Sequence, residues 1–235
     1  MSKSRVKLSN LSKSYGEHIL FQNLNLSIRD KESLSIIGRS GCGKTSLLRV
    51  IGGFERADSG QVLINSTSVK KPSRNAIMVF QDFSQLLPWR SVLGNVAWPL
   101  IATKQASNKR EALDIATKLL EEVEITGGSL KKYPFQISGG MKQRVAIARS
   151  LALQPSVLLL DEPFASVDYL TREKLQRLVI DICERHAITT ILVTHDIEEA
   201  VTMSTHTLVF KPDETIEIVK NNPSIGGALR RILLD

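Results

Sequence analysis

Residues 38–45 read Gly-Arg-Ser-Gly-Cys-Gly-Lys-Thr, a complete G-x-x-x-x-G-K-[ST] pattern. That spacing suits a loop whose backbone N–H groups cradle a polyphosphate. Gly38, Gly41 and Gly43 let the chain wrap the anion without Cβ clashes, and Arg39, Ser40 and Cys42 complete the loop. Lys44 is expected to reach the β- and γ-phosphates, Thr45 to offer its hydroxyl to a magnesium ion and Ser46 to meet the α-phosphate. The plain alternative is a glycine-rich turn with a solvated lysine. A second constellation lies at 157–162, where Val-Leu-Leu-Leu leads into Asp161 and Glu162. Two acids at the end of a buried strand suit metal chemistry, Asp161 holding Mg²⁺ directly or through water and Glu162 orienting or deprotonating an attacking water. Alone, such a pair could be merely solvated. Beside the phosphate loop it points to Mg-ATP and its hydrolysis.

These residues need rigid carriers. Leu34, Ile36 and Ile37 run straight into Gly38 and predict a buried strand. A helix is expected from near Gly43 through Leu47, Leu48 and Ile51 to Gly52-Gly53. Val6 and Leu8, then Leu24, Leu26 and Ile28, alternate with polar residues as half-buried strands do, and 61–64 and 76–80 read as further strands. Asn108 followed by Glu111 resembles a capping box. Ala112, Ile115, Ala116, Leu119, Leu120 and Val123 then recur at helical spacing, and another helix is expected after Gly140. Strand-helix alternation resumes with a strand at 157–160, a helix carrying Leu175, Leu178, Val179 and Ile182, and a strand at 189–193. The fold class is α/β: a core at about 1–85 and 151–235 with a mostly helical insertion at about 86–150, all within one 235-residue domain.

Composition narrows the setting. The chain is 42% hydrophobic and 23% charged, as globular proteins are. No apolar run reaches the length of a membrane span, and the N-terminus has no apolar stretch of a secretory signal, so a cytoplasmic chain is expected. The net charge of +7 is spread along the sequence and does not by itself choose between nucleic acid, anionic lipid and no partner. Cys42 and Cys183 show no metal spacing and read as reduced thiols. His18, His186 and His206 match no motif and read as solvated or structural.

Further motifs, in order, carry a resemblance. Residues 137–144, Ile-Ser-Gly-Gly-Met-Lys-Gln-Arg, resemble the signature motif of the ABC ATPases and lie just upstream of the Asp-Glu strand. Tyr15 is similar to the family's adenine-stacking aromatic, Gln81 to its Q-loop glutamine, Ser166-Val167-Asp168 to its D-loop and His195 to its switch histidine. The resemblance runs from Tyr15 to His195. It implies a P-loop NTPase with a RecA-like core, an antiparallel β region and a helical subdomain. It also implies ATP and Mg²⁺ as substrate and cofactor, catalytic roles for Glu162, His195 and Gln81, and metal contacts from Thr45, Gln81 and Asp161. Ser138, Gly139, Gly140, Met141 and Asp168 would complete the nucleotide site of a second copy. Ser138 and the following N–H groups form the opening of a helix, which suits an anion.

The sequence departs from the broad pattern at Met141, where the family usually has glutamine, and at Ile137, which often is leucine. Val167 replaces a small D-loop residue. The run Gly-Gly-Met-Lys-Gln-Arg and the segment Leu86-Leu87-Pro88-Trp89 with Asn95-Val96-Ala97 resemble importer ATPases for nitrate, sulfonates and taurine. The resemblance therefore implies a peripheral protein on the cytoplasmic side of the cell membrane. It would pair with a second copy, dock on integral-membrane permease subunits through Phe83, Leu86, Leu87 and Trp89, and serve an extracytoplasmic solute-binding protein indirectly. No nucleic-acid partner is expected. The competing reading is a soluble ABC ATPase acting on nucleic acid or ribosomes. Against it, no long heptad coiled coil, zinc module or second cassette is visible.

Overall fold

The computed structural model describes residues 4–80, 85–165, 167–222 and 224–234. The chain divides into two compact units. The first comprises residues up to Met78, Ser156–Glu162 and Cys183 onward; the second comprises Val79–Pro155 and Pro163–Ile182.

The first unit contains two sheets. β1 (Ser4–Tyr15) and β2 (His18–Arg29) form an antiparallel hairpin that continues through β4 (Ser59–Ile64) to the short β5 (Thr67–Ser68). Val6, Leu8 and Leu11 of β1 face inward with Leu24, Leu26 and Ile28 of β2, as the period-two pattern requires. The alternation slips between Leu8 and Leu11, where Asn10 adopts φ 49° and register shifts. Asparagine tolerates this left-handed conformation because its short side chain bonds locally, here through the Asn25 amide.

The second sheet has the order β10-β9-β3-β8-β7-β6. β3 (Ser33–Gly38), β7 (Val157–Asp161), β8 (Thr189–Val193) and β9 (His206–Phe210) run parallel, β10 (Ile216–Lys220) turns back against β9, and β6 (Ala76–Val79) lies at the far edge. Every residue of β7 and β8 is buried, which explains their continuous apolar runs: strands covered on both faces have no polar side to show. Three adjacent strands, β3, β8 and β7, end in Gly38, Val193 and Asp161, and their carboxyl-end loops carry the chemistry. α1 (Lys44–Gly52), α6 (Ile197–Met203) and α7 (Gly226–Leu234) complete this unit. Ile37, Ala200, Val209 and Leu229 pack together as a small core beneath α6 and α7.

The second unit is built on α2 (Val92–Ala102), α3 (Lys109–Glu122) and α4 (Gly139–Leu151), with most of α5 (Tyr169–Arg185). Each of the first three starts on a side-chain cap. Ser91 accepts from the Gly94 N–H, Asn108 from Glu111 and Ser138 from Met141. The expected capping box at α3 is shifted: the Glu111 carboxylate accepts from the Ser107 N–H, one residue before the cap. Ala112, Ala116, Leu119 and Leu120 form the buried stripe of α3. No helix among the described residues is long and apolar enough to cross a membrane.

Candidate active site

The loop between β3 and α1 owes its shape to glycine. At Gly38 a Cβ would lie 2.7 Å from Phe210 Cβ and 2.8 Å from Cys42 Sγ. Gly43, at φ 106°, serves as the N-cap of α1, and a Cβ there would lie 3.0 Å from Leu20 Cβ. A glycine cap offers no side chain to the helix, so the positive end of α1 faces the loop without a side-chain cap. Lys44 Nζ is held against the loop by the carbonyls of Gly38 at 2.9 Å and Arg39 at 2.8 Å, which leaves one ammonium N–H for another acceptor.

Asp161 closes β7 beside this loop. Its Oδ1 accepts from the Thr45 hydroxyl at 3.0 Å. Two oxygens this close at the mouth of the loop fit Mg²⁺, which takes one or two protein oxygens together with phosphate and water. Among the described residues there is no cluster of three His, Cys, Asp or Glu side chains suited to holding a metal unaided. Burial pushes the Asp161 carboxyl above its ordinary range, against the opposing pull of the Thr45 hydroxyl and Arg49. The sign follows. A raised pKa in the folded chain means ionisation costs stability, a cost absent below the unfolded value of about 3.9 and full above the folded one. In EDTA, Asp161→Asn is therefore expected to melt higher than the parent at pH 7.5, with the gap closing as pH falls toward 4. A lower melting temperature at pH 7.5 would show that the carboxylate stabilises the fold.

Glu162 follows at once, and its backbone is unusual: φ is 44°, a left-handed conformation rare for a residue with a side chain. Its N–H still reaches the Val193 carbonyl at 2.9 Å, so the strand pairing holds the strained turn in place. The Glu162 Oε2 lies 3.2 Å from Nδ1 of His195. His195 is carried by the turn after β8. There the Thr194 hydroxyl donates to the buried Glu199 carboxylate at 2.6 Å and accepts from Asp196 N–H at 3.0 Å, while Asp196 caps α6. With Nδ1 engaged by Glu162, Nε2 is the ring nitrogen left for a phosphate oxygen.

Tyr15 also reaches this site. Its hydroxyl lies 3.4 Å from Ser46 Oγ and bonds the Glu55 carboxylate; Lys13 Nζ stands 5.0 Å from the ring centroid and 3.3 Å from Glu55. Lys13 and Glu55 carry no motif, and their separation in sequence hides their shared role in setting the ring. The first unit thus brings together Tyr15, the loop 38–46, Asp161, Glu162 and His195.

The second unit holds the remaining predicted residues. Ser138 caps α4, so Gly139, Gly140 and Met141 form its first turn. A Cβ on Gly140 would lie 3.0 Å from Thr171 Cγ2. Asp168 accepts from the Thr171 N–H at 3.1 Å, and hydrogen bonds from the Thr171 hydroxyl and then this N–H hold its carboxyl below the usual range. Gln81, Phe83 and Ser166 lie outside the described residues. Trp89 is 71% exposed and Leu87 half-buried, whereas Leu86 is 2% exposed. The expectation that Leu86 offers docking surface is corrected: its side chain is buried. Both cysteines are free; burial raises the Cys42 thiol and pushes Cys183 up to about 12.

The model of the ABC transporter family matches residues 21–165. The chain belongs to the ABC transporter family. It is 42% identical over 191 residues to the nitrate import ATP-binding protein NrtC of Synechococcus elongatus, a match covering 80% of this chain and 28% of that protein. It is 39% identical over 207 residues to the taurine import ATP-binding protein TauB of Escherichia coli O157:H7, covering 88% and 80%. A dimeric ATP-binding cassette solved in a post-hydrolysis state with ADP and Pi superposes with a TM-score of 0.80 at 34% identity, covering 92% of this chain and 99% of that one. The chain thus spans under a third of the nitrate relative's length. As an ABC cassette it has the P-loop NTPase fold, and ATP with Mg²⁺ are the family's substrate and cofactor.

Proposed function

We propose that this cassette is the ATP-hydrolysing subunit of an importer for nitrate, a sulfonate, taurine or a similar small solute. It dimerises around two Mg-ATP and drives integral-membrane permease subunits from the cytoplasmic face of the cell membrane, with an extracytoplasmic binding protein supplying the solute. The observation that carries this reading is the convergence of the phosphate loop, the Asp161–Glu162 pair and His195 on the carboxyl ends of three adjacent parallel strands. That is where open α/β sheets bind ligands. Lys44 and the N-terminus of α1 hold the phosphates, and Tyr15 stacks on the base. Thr45 and Asp161 would hold Mg²⁺, which would supply charge neutralisation on the phosphates. Glu162 takes the proton of the attacking water, and His195 donates to the γ-phosphate. Gln81 would add a further metal contact, a role that its motif alone implies. Ser138, Gly139, Gly140, Met141 and Asp168 complete the second copy's site, and the helical part at about 86–150 is the subdomain that carries most of them.

Leu87 and the exposed Trp89 form the permease-docking surface. An exposed tryptophan beside half-buried apolar groups is the kind of anchor that dominates interfaces. Trp89→Asp is expected to cut recovery of the permease with tagged cassette from detergent-solubilised membranes by about 10-fold or more, an anchor-sized loss. ATP binding by the purified variant is expected to stay at the parent value. Unchanged permease recovery would remove Trp89 from the docking surface, and loss of ATP binding would make it a core residue.

A further inference from the structure

We infer that Asn95 is the positioning residue of the docking loop: its buried amide clamps the turn that presents Trp89. The inference rests on the docking reading above and adds the group that sets its geometry. Asn95 lies in the first turn of α2 and is 0% exposed. Its side chain makes four hydrogen bonds, all to main-chain atoms. Oδ1 accepts from Leu87 N–H at 2.8 Å, and the two hydrogens of Nδ2 are shared among the carbonyls of Leu87, Arg90 and Ser91, each at 3.1 Å. A carboxamide carries an acceptor and donors on one planar head, so it can engage the N–H and the C=O of Leu87 together, as a neighbouring strand would. Aspartate lacks the donors, and leucine lacks both.

The clamped residues bracket a tight turn. The Arg90 N–H bonds the Leu87 carbonyl at 3.1 Å, placing Pro88 and Trp89 at the two central positions. Proline at the first of these fixes φ in advance. The far corner is tied down as well, since the Arg90 guanidinium lies 4.0 Å from the Trp98 ring centroid. On the approach side, Arg149 of α4 donates to the Gln85 carbonyl, and Gln85 Nε2 donates to the Phe80 carbonyl at 3.1 Å. The amide thus satisfies the backbone at the base of the turn while Trp89 stands in solvent at its tip. A loop held in its binding shape forfeits little conformational freedom when a partner arrives, so the clamp raises affinity without touching the partner.

The test uses Trp98→Phe as background, which keeps a ring under Arg90 and leaves Trp89 as the sole tryptophan of the two in the chain. Asn95→Asp is compared with this parent by anisotropy decay of Trp89, by recovery of the permease subunits that co-purify with the parent, and by ATP binding. Asn95→Ser, smaller and neutral, serves as the second variant if the aspartate does not fold. The inference expects faster local motion of Trp89, permease recovery reduced about five-fold or more through loss of preorganisation, and ATP affinity within about twofold of the parent. It is overturned if Trp89 is loosened and permease recovery is unchanged, if Trp89 dynamics do not change, or if both variants lose ATP binding. Trp89→Asp run in parallel separates the two layers: permease retained there removes the docking reading, whereas permease lost there but retained in Asn95→Asp removes only the role of Asn95.

Discussion

Glu162→Gln is expected to bind Mg-ATP as the parent does and to hydrolyse it about 10²–10⁴-fold more slowly, the cost of removing a general base, about 3–5 kcal/mol of barrier. The substitution changes little else. Glutamine keeps the length and shape of the side chain, the backbone turn at φ 44° is held by Val193, and the amide oxygen can still meet His195 Nδ1. What disappears is the capacity to accept the water's proton at neutral pH. Lys44→Ala separates the roles, because it removes the cation held at the mouth of the loop and is expected to weaken nucleotide binding itself. Hydrolysis by Glu162→Gln above half the parent rate, measured as phosphate release at saturating ATP, would take the base role from Glu162.

The second large effect concerns assembly. With hydrolysis blocked by Glu162→Gln, Mg-ATP is expected to convert the cassette from monomer to dimer, and adding Ser138→Arg is expected to weaken that dimer about 100-fold, ~3 kcal/mol. Ser138 caps α4 and presents its first-turn N–H groups, a second anion site that one chain is proposed to offer to its copy's nucleotide. Arginine there adds bulk and a charge at the positive end of a helix. Removing a cap alone costs about 1 kcal/mol, so Ser138→Ala is expected to melt lower yet retain more of the dimer. Light scattering of the double variant at saturating Mg-ATP reads the difference. A dimer unaffected by Ser138→Arg would place the second half-site elsewhere.

The strands that carry the site were legible because both their faces are buried. Val157 to Leu160 and Thr189 to Val193 show unbroken apolar or β-branched runs, and each ends in its reactive residues. α2 was not legible. Val92, Asn95, Val96, Ala97, Pro99 and Leu100 are buried, but the exposed side carries the apolar Trp98 and Ile101, so no polar face marks the helix, and Gly94 and Pro99 read as breakers. β9, β10 and α7 were also missed, whereas the helix after His195, α6, starts where its cap Asp196 signals it. β9 is a short buried strand with no motif at its end. At the site, the phosphate loop, the acid pair and His195 could be read from spacing. The left-handed turn at Glu162, the Lys13–Glu55 support of Tyr15 and the Asn95 clamp depend on contacts or backbone angles that no local pattern encodes. Leu86 was misread for the complementary reason: an apolar residue in a loop looks the same in sequence whether it packs inward or faces a partner.

The proposed function requires each ATP to be hydrolysed between two copies of this chain. The specific ATPase rate of the purified cassette, followed over a wide range of its own concentration at saturating Mg-ATP, tests it most directly. A shared site predicts that activity per molecule rises with concentration and levels off as the dimer fills, with Ser138→Arg flat and low throughout. Constant activity per molecule down to the most dilute sample, with Ser138→Arg matching the parent, would mean that one chain hydrolyses ATP alone.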